Sequence, residues 1–231
     1  MELKLTKKPK NVTIIEGFPG IGLVGPITTE YLREHLQVEK IGSIVSEDSM
    51  PIAIIHNSKV IEPFGIFYNK KYNLVILQAL NPVQKLEWKV THLLSKLAKE
   101  LSAKEIVSLE GVASPVKQQN VFYYSKKNHK KFESINIQPL KDGIIMGVTA
   151  SLLLKEKLPM SCIFVETHSQ LPDSRGAAKL IEALDKYLGL DVDYKPLLKK
   201  AEEFEKKIKN IVEQSQQVSK EQDKKNLDYL G

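Results

Sequence analysis

The sequence predicts an α/β fold with a largely parallel sheet. Short runs rich in Ile and Val alternate with longer segments of helical period. One run, Leu74-Val-Ile-Leu77, is apolar throughout, as in a strand covered on both faces. The first unit of the chain shows the pattern in full. Val12-Thr-Ile-Ile15 is closed by Glu16-Gly17, a glycine-rich turn follows, and Ile27, Tyr31, Leu32 and Leu36 then recur along one helical face.

The other elements follow in order. Ile41-Gly-Ser-Ile-Val45, Ile52-Ala-Ile-Ile55, Lys59-Val-Ile61 and Phe64-Gly-Ile-Phe67 read as short strands, with His56-Asn57-Ser58 as a hairpin turn. Pro82 opens a helix near its first position, where a missing N–H costs little, and Val83, Leu86, Val90, Leu93, Leu97 and Leu101 form its stripe. Trp88 falls off that stripe and is left for a partner. Ile106-Val-Ser-Leu109 is a strand ending in Glu110-Gly111, and residues 112–141 are a polar excursion with one or two strands. Gly147 to Leu154 is a short helix stopped before Pro159, and Cys162-Ile-Phe-Val165 is a buried strand ending in Glu166. Pro172-Asp-Ser-Arg-Gly-Ala-Ala starts a helix through Leu180, Leu184 and Leu188, ended by Gly189. Leu197, Ala201, Phe204, Ile208, Ile211, Ser215 and Val218 then alternate steps of four and three, a heptad seam on one long C-terminal helix. Residues 1–194 are read as the α/β domain, 195–219 as the seamed helix and 220–231 as a mobile tail ending in Leu227-Asp-Tyr-Leu-Gly231.

Composition narrows the function classes. Among 231 residues, 34 Lys and Arg against 28 Asp and Glu leave a net charge of +6, and 42% of residues are hydrophobic, enough for a sizeable core. No window approaches the roughly 20 apolar residues that cross a bilayer, and the start lacks the apolar segment of a signal peptide, so a cytoplasmic protein without a membrane partner is expected. The one cysteine, Cys162, lies among Ile163, Phe164 and Val165 and reads as buried rather than reactive. Lysines are mostly interleaved with acids, so nucleic acid is not expected as a partner. The exception is Phe122-Tyr-Tyr-Ser-Lys-Lys-Asn-His-Lys-Lys131, which could stack bases or grip phosphates but reads better as a solvated loop or hairpin tip.

The sharpest motif is Gly17-Phe-Pro-Gly20-Ile-Gly22-Leu-Val-Gly25. Its Gly20-x-Gly22-x-x-Gly25 core matches the dinucleotide fingerprint, and Glu47 and Asp48 stand where the ribose-binding acid would be sought. The strand ends several residues too early for that role, and Pro19 and Pro26 stiffen a turn that should wrap a ligand. Tight helix-to-sheet contact requires glycines equally. Glu16, Glu110 and Glu166 each end a predicted strand, so in a parallel sheet they meet on one rim, either to act as acid and base, to bind a hard cation, or to accept hydrogen bonds from adjoining loops. His168 and Ser169 with Asp173, Ser174 and Arg175 lack a Gly-x-Ser-x-Gly elbow, and His35, His56, His92 and His129 show no paired metal-ligand spacing, so neither a catalytic residue nor a metal site is assigned.

Four segments together resemble the proteasome assembly chaperone family in its archaeal form. They are Glu16-Gly-Phe-Pro-Gly-Ile-Gly-Leu-Val-Gly25, Leu109-Glu-Gly-Val112, Gly143-Ile-Ile-Met-Gly-Val-Thr-Ala-Ser-Leu-Leu153 and Glu166-Thr-His-Ser-Gln-Leu-Pro-Asp-Ser-Arg-Gly-Ala-Ala178. The resemblance implies a three-layer α/β/α sandwich similar to the nucleoside phosphorylase fold, with no established catalytic activity and no cofactor. It also implies homo-oligomers that engage proteasome α-subunits or the core particle. In members that bind the core, a hydrophobic residue, a tyrosine and one final residue dock between α-subunits. Here Leu227, Tyr229, Leu230 and Gly231 would form that element, with Tyr229 one place out of register. The glycine loop would then be architectural. The alternative is a small-molecule or nucleotide-binding enzyme that uses Gly17, Gly20, Gly22 and Gly25 with the three rim glutamates.

Overall fold

The computed structural model describes residues 1–45, 54–56, 59–61, 63–114, 119–155, 157–167, 171–199, 209–210 and 213. Its strands are β1 (Glu2–Leu5), β2 (Thr13–Gly17), β3 (Glu39–Val45), β4 (Ile54–His56), β5 (Lys59–Ile61), β6 (Phe64–Asn69), β7 (Leu74–Ala79), β8 (Glu105–Ala113), β9 (Val121–Ser125), β10 (Gln138–Pro139) and β11 (Met160–Thr167). Its helices are α1 (Val24–His35), α2 (Glu87–Glu100), α3 (His129–Ser134), α4 (Gly147–Leu153), α5 (Ser174–Leu188) and α6 (Lys195–Lys199). Nine strands form one sheet in the order β1-β3-β6-β7-β2-β8-β11-β9-β10, and β4 and β5 pair apart from it.

The sheet is mixed rather than largely parallel. Its centre, β7-β2-β8-β11, is parallel, whereas β1, β3 and β6 on one side and β9 on the other run antiparallel to their inner neighbours. Connection length explains the difference. Only residues 70–73 join β6 to β7, a link that can close a hairpin but cannot make a parallel crossover. Side chains alternate along the central strands and divide the core in two. Ile15, Ile76, Val107, Leu109, Ile163 and Val165 pack under α1, α3 and α5. Ile14, Val75, Leu77 and Ile106 pack under α2 and α4. Helices therefore cover both faces, which is why β7 is buried at every position.

Most element boundaries fall where the sequence places them. Asp173 caps α5 by accepting from the Gly176 N–H at 2.8 Å, and Gly189 ends the helix in the left-handed region. Strands β4 and β5 pair antiparallel, with His56 in β4 opposite Lys59, while Ile52, Ala53, Asn57 and Ser58 lie outside the described residues. Two boundaries differ. Helix α2 starts at Glu87 rather than at Pro82, because Lys85 adopts a positive φ of 66° that breaks the first turn. Strands β8 and β11 do not stop at Glu110 and Glu166 but run on to Ala113 and Thr167.

The Phe122–Lys131 stretch is a solvated turn only at residues 126–128, between the strand β9 and the start of α3. Of its aromatics Tyr123 serves the core, where Phe132 lies between Tyr123 and Tyr187 with ring centroids 4.7 and 4.1 Å away, whereas Tyr124 is exposed. The Lys131 ammonium sits 4.1 Å above the Tyr187 ring. Below this stack the buried Glu105 carboxylate accepts from Tyr187 Oη at 2.8 Å, from Asn128 Nδ2 at 2.6 Å and from Ser161 Oγ. One carboxylate thus ties α5, the turn before α3 and β11 to β8.

Of the heptad seam, Leu197 is buried against the α1 and α5 side of its own domain, and Lys209, Asn210 and Glu213 are helical. Ala201, Phe204, Ile208, Ile211, Ser215 and Val218 lie outside the described residues. Among the described residues no helix is long and apolar enough to cross a membrane.

The ring stack sets a stability expectation. Phe132→Ala should destabilise the chain by about 3–5 kcal/mol in urea denaturation. Trp88→Ala, at a half-exposed position off the α2 stripe, should stay within about 0.5 kcal/mol.

Candidate functional site

The carboxyl ends of β7, β2, β8 and β11 point the same way, and the segments leaving them enclose a cleft of about 1450 Å³. This is the edge of an α/β sheet at which ligand crevices form. Its walls are the glycine loop from Phe18 to Leu23, the turn after β7 with Pro82 and Val83, the end of β8, the segment from Gln138 to Val148, and Glu166 with Leu171 and Pro172. The four segments that carry the family resemblance come from distant parts of the chain, and all of them reach this one cleft.

In the glycine loop each glycine meets another protein group. A β-carbon on Gly17 would lie 2.6 Å from the Gly25 backbone, so the end of β2 and the first turn of α1 touch backbone to backbone. A β-carbon on Gly20 would lie 2.1 Å from Glu110 Oε1. Gly22 has a φ of 68°, a left-handed conformation that only glycine adopts without strain. Its carbonyl accepts from the Asp173 N–H at 2.8 Å, which joins the loop to the start of α5. Glu47 and Asp48 lie outside the described residues.

The three glutamates share one sheet face on successive rungs. Glu16 is in register with Ser108, which is in register with Cys162; Glu110 pairs with Phe164, and Glu166 pairs with Val112. Their surroundings differ. Glu166, at the rim, accepts from Ser114 Oγ at 2.9 Å and from Asn120 Nδ2 at 2.7 Å, the loop contacts expected of a structural carboxylate. Glu110 is partly open to the cleft and accepts from Thr149 Oγ1 at 3.0 Å, while that hydroxyl also meets Ser108 Oγ at 2.9 Å. Glu16 is fully buried, and neither of its carboxyl oxygens has a hydrogen-bond partner.

Burial decides the protonation of this ladder. Desolvation pushes Glu16 up to about 8; the nearby Ser108 hydroxyl pulls against it, the Glu110 charge raises it further, and the Phe18 N–H lowers it least. Burial likewise pushes Glu110 to about 7, against the pull of Thr149 and the Gly111 N–H. Cys162 is buried on the same rung as Ser108, and its thiol is raised by burial first and then by Glu16 and Glu110. It is therefore unsuited to nucleophilic or redox work.

The remaining candidates do not assemble. Asp173 is committed to its cap and to Gln119 Nε2 at 2.8 Å, Ser174 is buried, and Arg175 is exposed, while His168 and Ser169 lie outside the described residues. Among the described residues no group of three His, Cys, Asp or Glu side chains is placed to hold a metal ion. Leu227, Tyr229, Leu230 and Gly231 also lie outside the described residues. Thr149 and Ser108, which orient Glu110, escaped the sequence reading; their one signal is a hydroxyl inside an otherwise apolar run.

A carboxyl raised from 4.5 to about 8 keeps its proton in the folded chain after the unfolded chain has lost it. Stability is therefore fullest below the unfolded value, and it falls as pH rises until the folded value is passed. Glu110 acts in the same direction. Each carboxyl contributes at most about 1.4 kcal/mol per pH unit. In Glu16→Gln the fall in urea midpoint between about pH 5 and about pH 8.5 should shrink by at least about half, leaving the part due to Glu110.

Known proteins share this fold. The PAC2 family profile matches residues 14–212. Two uncharacterized proteins of Methanocaldococcus jannaschii are 29% and 27% identical over 224 and 242 residues, spanning 92% and 96% of this chain and 92% and 93% of theirs. Among solved structures, Pyrococcus furiosus PbaA, an archaeal homolog of proteasome-assembly chaperone, superposes with a TM-score of 0.84 at 29% identity over 94% of this chain and 98% of its own. P. furiosus PbaB, an archaeal proteasome activator, has a TM-score of 0.74 at 22% identity over 91% of this chain and 98% of its own, a likeness of fold. With its four signature segments gathered at one edge of the PbaA-like sheet, the chain belongs to the PAC2 family, in keeping with the resemblance to proteasome assembly chaperones that those segments carry.

Proposed function

We propose that the chain is a non-enzymatic assembly chaperone or adaptor of the cytoplasm that binds proteasome α-subunits. The observation that carries this reading is the end-to-end likeness to PbaA in both fold and sequence. Leu227, Tyr229 and Leu230 would fill an apolar groove on the partner, and the Gly231 carboxylate would accept a charge-assisted hydrogen bond from a partner lysine. The protein acts as a homo-oligomer, so that several weak tail contacts add through effective concentration. The β4–β5 hairpin supports self-association: Ile55 and Val60 face each other across it and are 73% and 66% exposed, an apolar pair unusual for a free surface. A nucleotide-binding enzyme built on Gly20, Gly22 and Gly25 fits less well, because the Glu110 carboxyl lies against Gly20 where a pyrophosphate would have to approach.

Two measurements test the proposal. The full chain should co-purify with archaeal proteasome α-subunits or core particles, and a chain truncated after Asn226 should lose that binding; retention would move recognition to the globular surface. Val60→Asp should lower the mass measured by sedimentation without lowering the melting temperature, and an unchanged mass would place the subunit contact elsewhere.

A further inference from the structure

The cleft supports an inference that does not depend on the proteasome reading. Its mouth is apolar and open, with Ile144, Met146 and Leu171 exposed at 91%, 70% and 60%. Its floor holds a carboxyl fixed in place. Thr149 Oγ1 binds Glu110 Oε2, Ser108 steadies Thr149, and Oε1 occupies the space a β-carbon on Gly20 would take. Among the described residues no lysine or arginine forms an ion pair with Glu110. One rung deeper, Glu16 is fully buried with both oxygens unpartnered, an acid that burial holds in its neutral form. The cations in the wall are Lys141, in the segment before α4, and Lys209, a helical residue near the C-terminus, rather than residues of the strand ends.

An anionic ligand entering this cleft would face carboxyls at its floor and at its rim. An apolar ligand with no polar group would leave Glu110 desolvated and unmatched. We propose that the cleft binds a ligand carrying a primary ammonium group on an apolar body, with the ammonium on the Glu110 carboxylate and the body against Phe18, Val83 and Ile145. The ammonium supplies the positive charge that Glu110 lacks and adds to the Thr149 donor it already has, and the apolar wall sheds water when the body enters. A free small amine and the lysyl side chain of a peptide share this chemistry.

Titration calorimetry on the full chain distinguishes these sources. The probes are phenethylamine, its uncharged counterpart phenethyl alcohol, and the capped peptide acetyl-Leu-Lys-Leu-amide, used near pH 8, above the value of about 7 to which Glu110 is pushed. One of the two ammonium probes should bind saturably and at least about tenfold more tightly than the alcohol. Preference for phenethylamine identifies a small amine, and preference for the peptide identifies a lysyl side chain. Glu110→Gln should abolish the preference for charge while keeping the wild-type circular dichroism spectrum. Ile144→Lys, at an exposed position on the mouth, should weaken the ammonium probe several-fold and the alcohol hardly at all. Equal binding of amine and alcohol, a preference that survives in Glu110→Gln, or no saturable binding of any probe at millimolar concentration would overturn the proposal.

Discussion

The cleft edge of the sheet depends on the approach of two backbones, Gly17 at the end of β2 and Gly25 in the first turn of α1. At 2.6 Å from a hypothetical β-carbon there is no room for a side chain, and cores that are overpacked by even one methyl group shift or strain. Because the two meet, α1 lies flat on the sheet and the intervening loop folds back over β8. That fold sets Gly20 on Glu110 and brings the Gly22 carbonyl to the Asp173 N–H. The entry to α1, the entry to α5 and the floor of the cleft are therefore in direct contact.

The buried acids show how one residue type takes different states on neighbouring strands. Glu105 receives donors from three elements and works as a clasp between them. Glu16 receives none, and the cheapest state for a desolvated carboxyl without partners is the neutral one. Glu110 stands between these extremes, with one oxygen committed to Thr149 and a partly open position at the cleft. Position along the strand sorts them: Glu105 opens β8 beneath the ring stack, whereas Glu16 and Glu110 lie on the rungs below the glycine loop.

Much of this was legible in the sequence because burial leaves a period. The apolar run of β7, the Ile27–Leu36 stripe of α1 and the Asp173 cap of α5 each follow from local pattern, and the structure contains them. Strand direction was less legible, since parallel and antiparallel strands share the same alternation and only the four-residue link before β7 hints at the difference. The start of α2 depended on one backbone angle at Lys85, a residue type with no preference for positive φ. The aromatic and basic stretch at 122–131 misled because composition cannot say which way a ring turns, and Tyr123 turns inward. At the site, Glu16, Glu110 and Glu166 were read as strand ends on one rim, whereas β8 and β11 run on past Glu110 and Glu166, and the shared face comes from strand register that a sequence does not display; their unequal burial came from loops and hydroxyls contributed by distant segments.

The environment of Cys162 has a practical outcome. The chain holds a single thiol, fully buried on β11 and kept protonated by burial and by two neighbouring acids. Thiol reagents attack the thiolate, so the folded molecule should be almost silent toward them and become reactive only when the centre of the sheet separates. Alkylation rate then becomes an internal clock for opening of the β8–β11 seam, readable in crude mixtures without an engineered probe. A bound ligand or partner that clamps this edge would register as a slower clock, even where it leaves no spectroscopic trace.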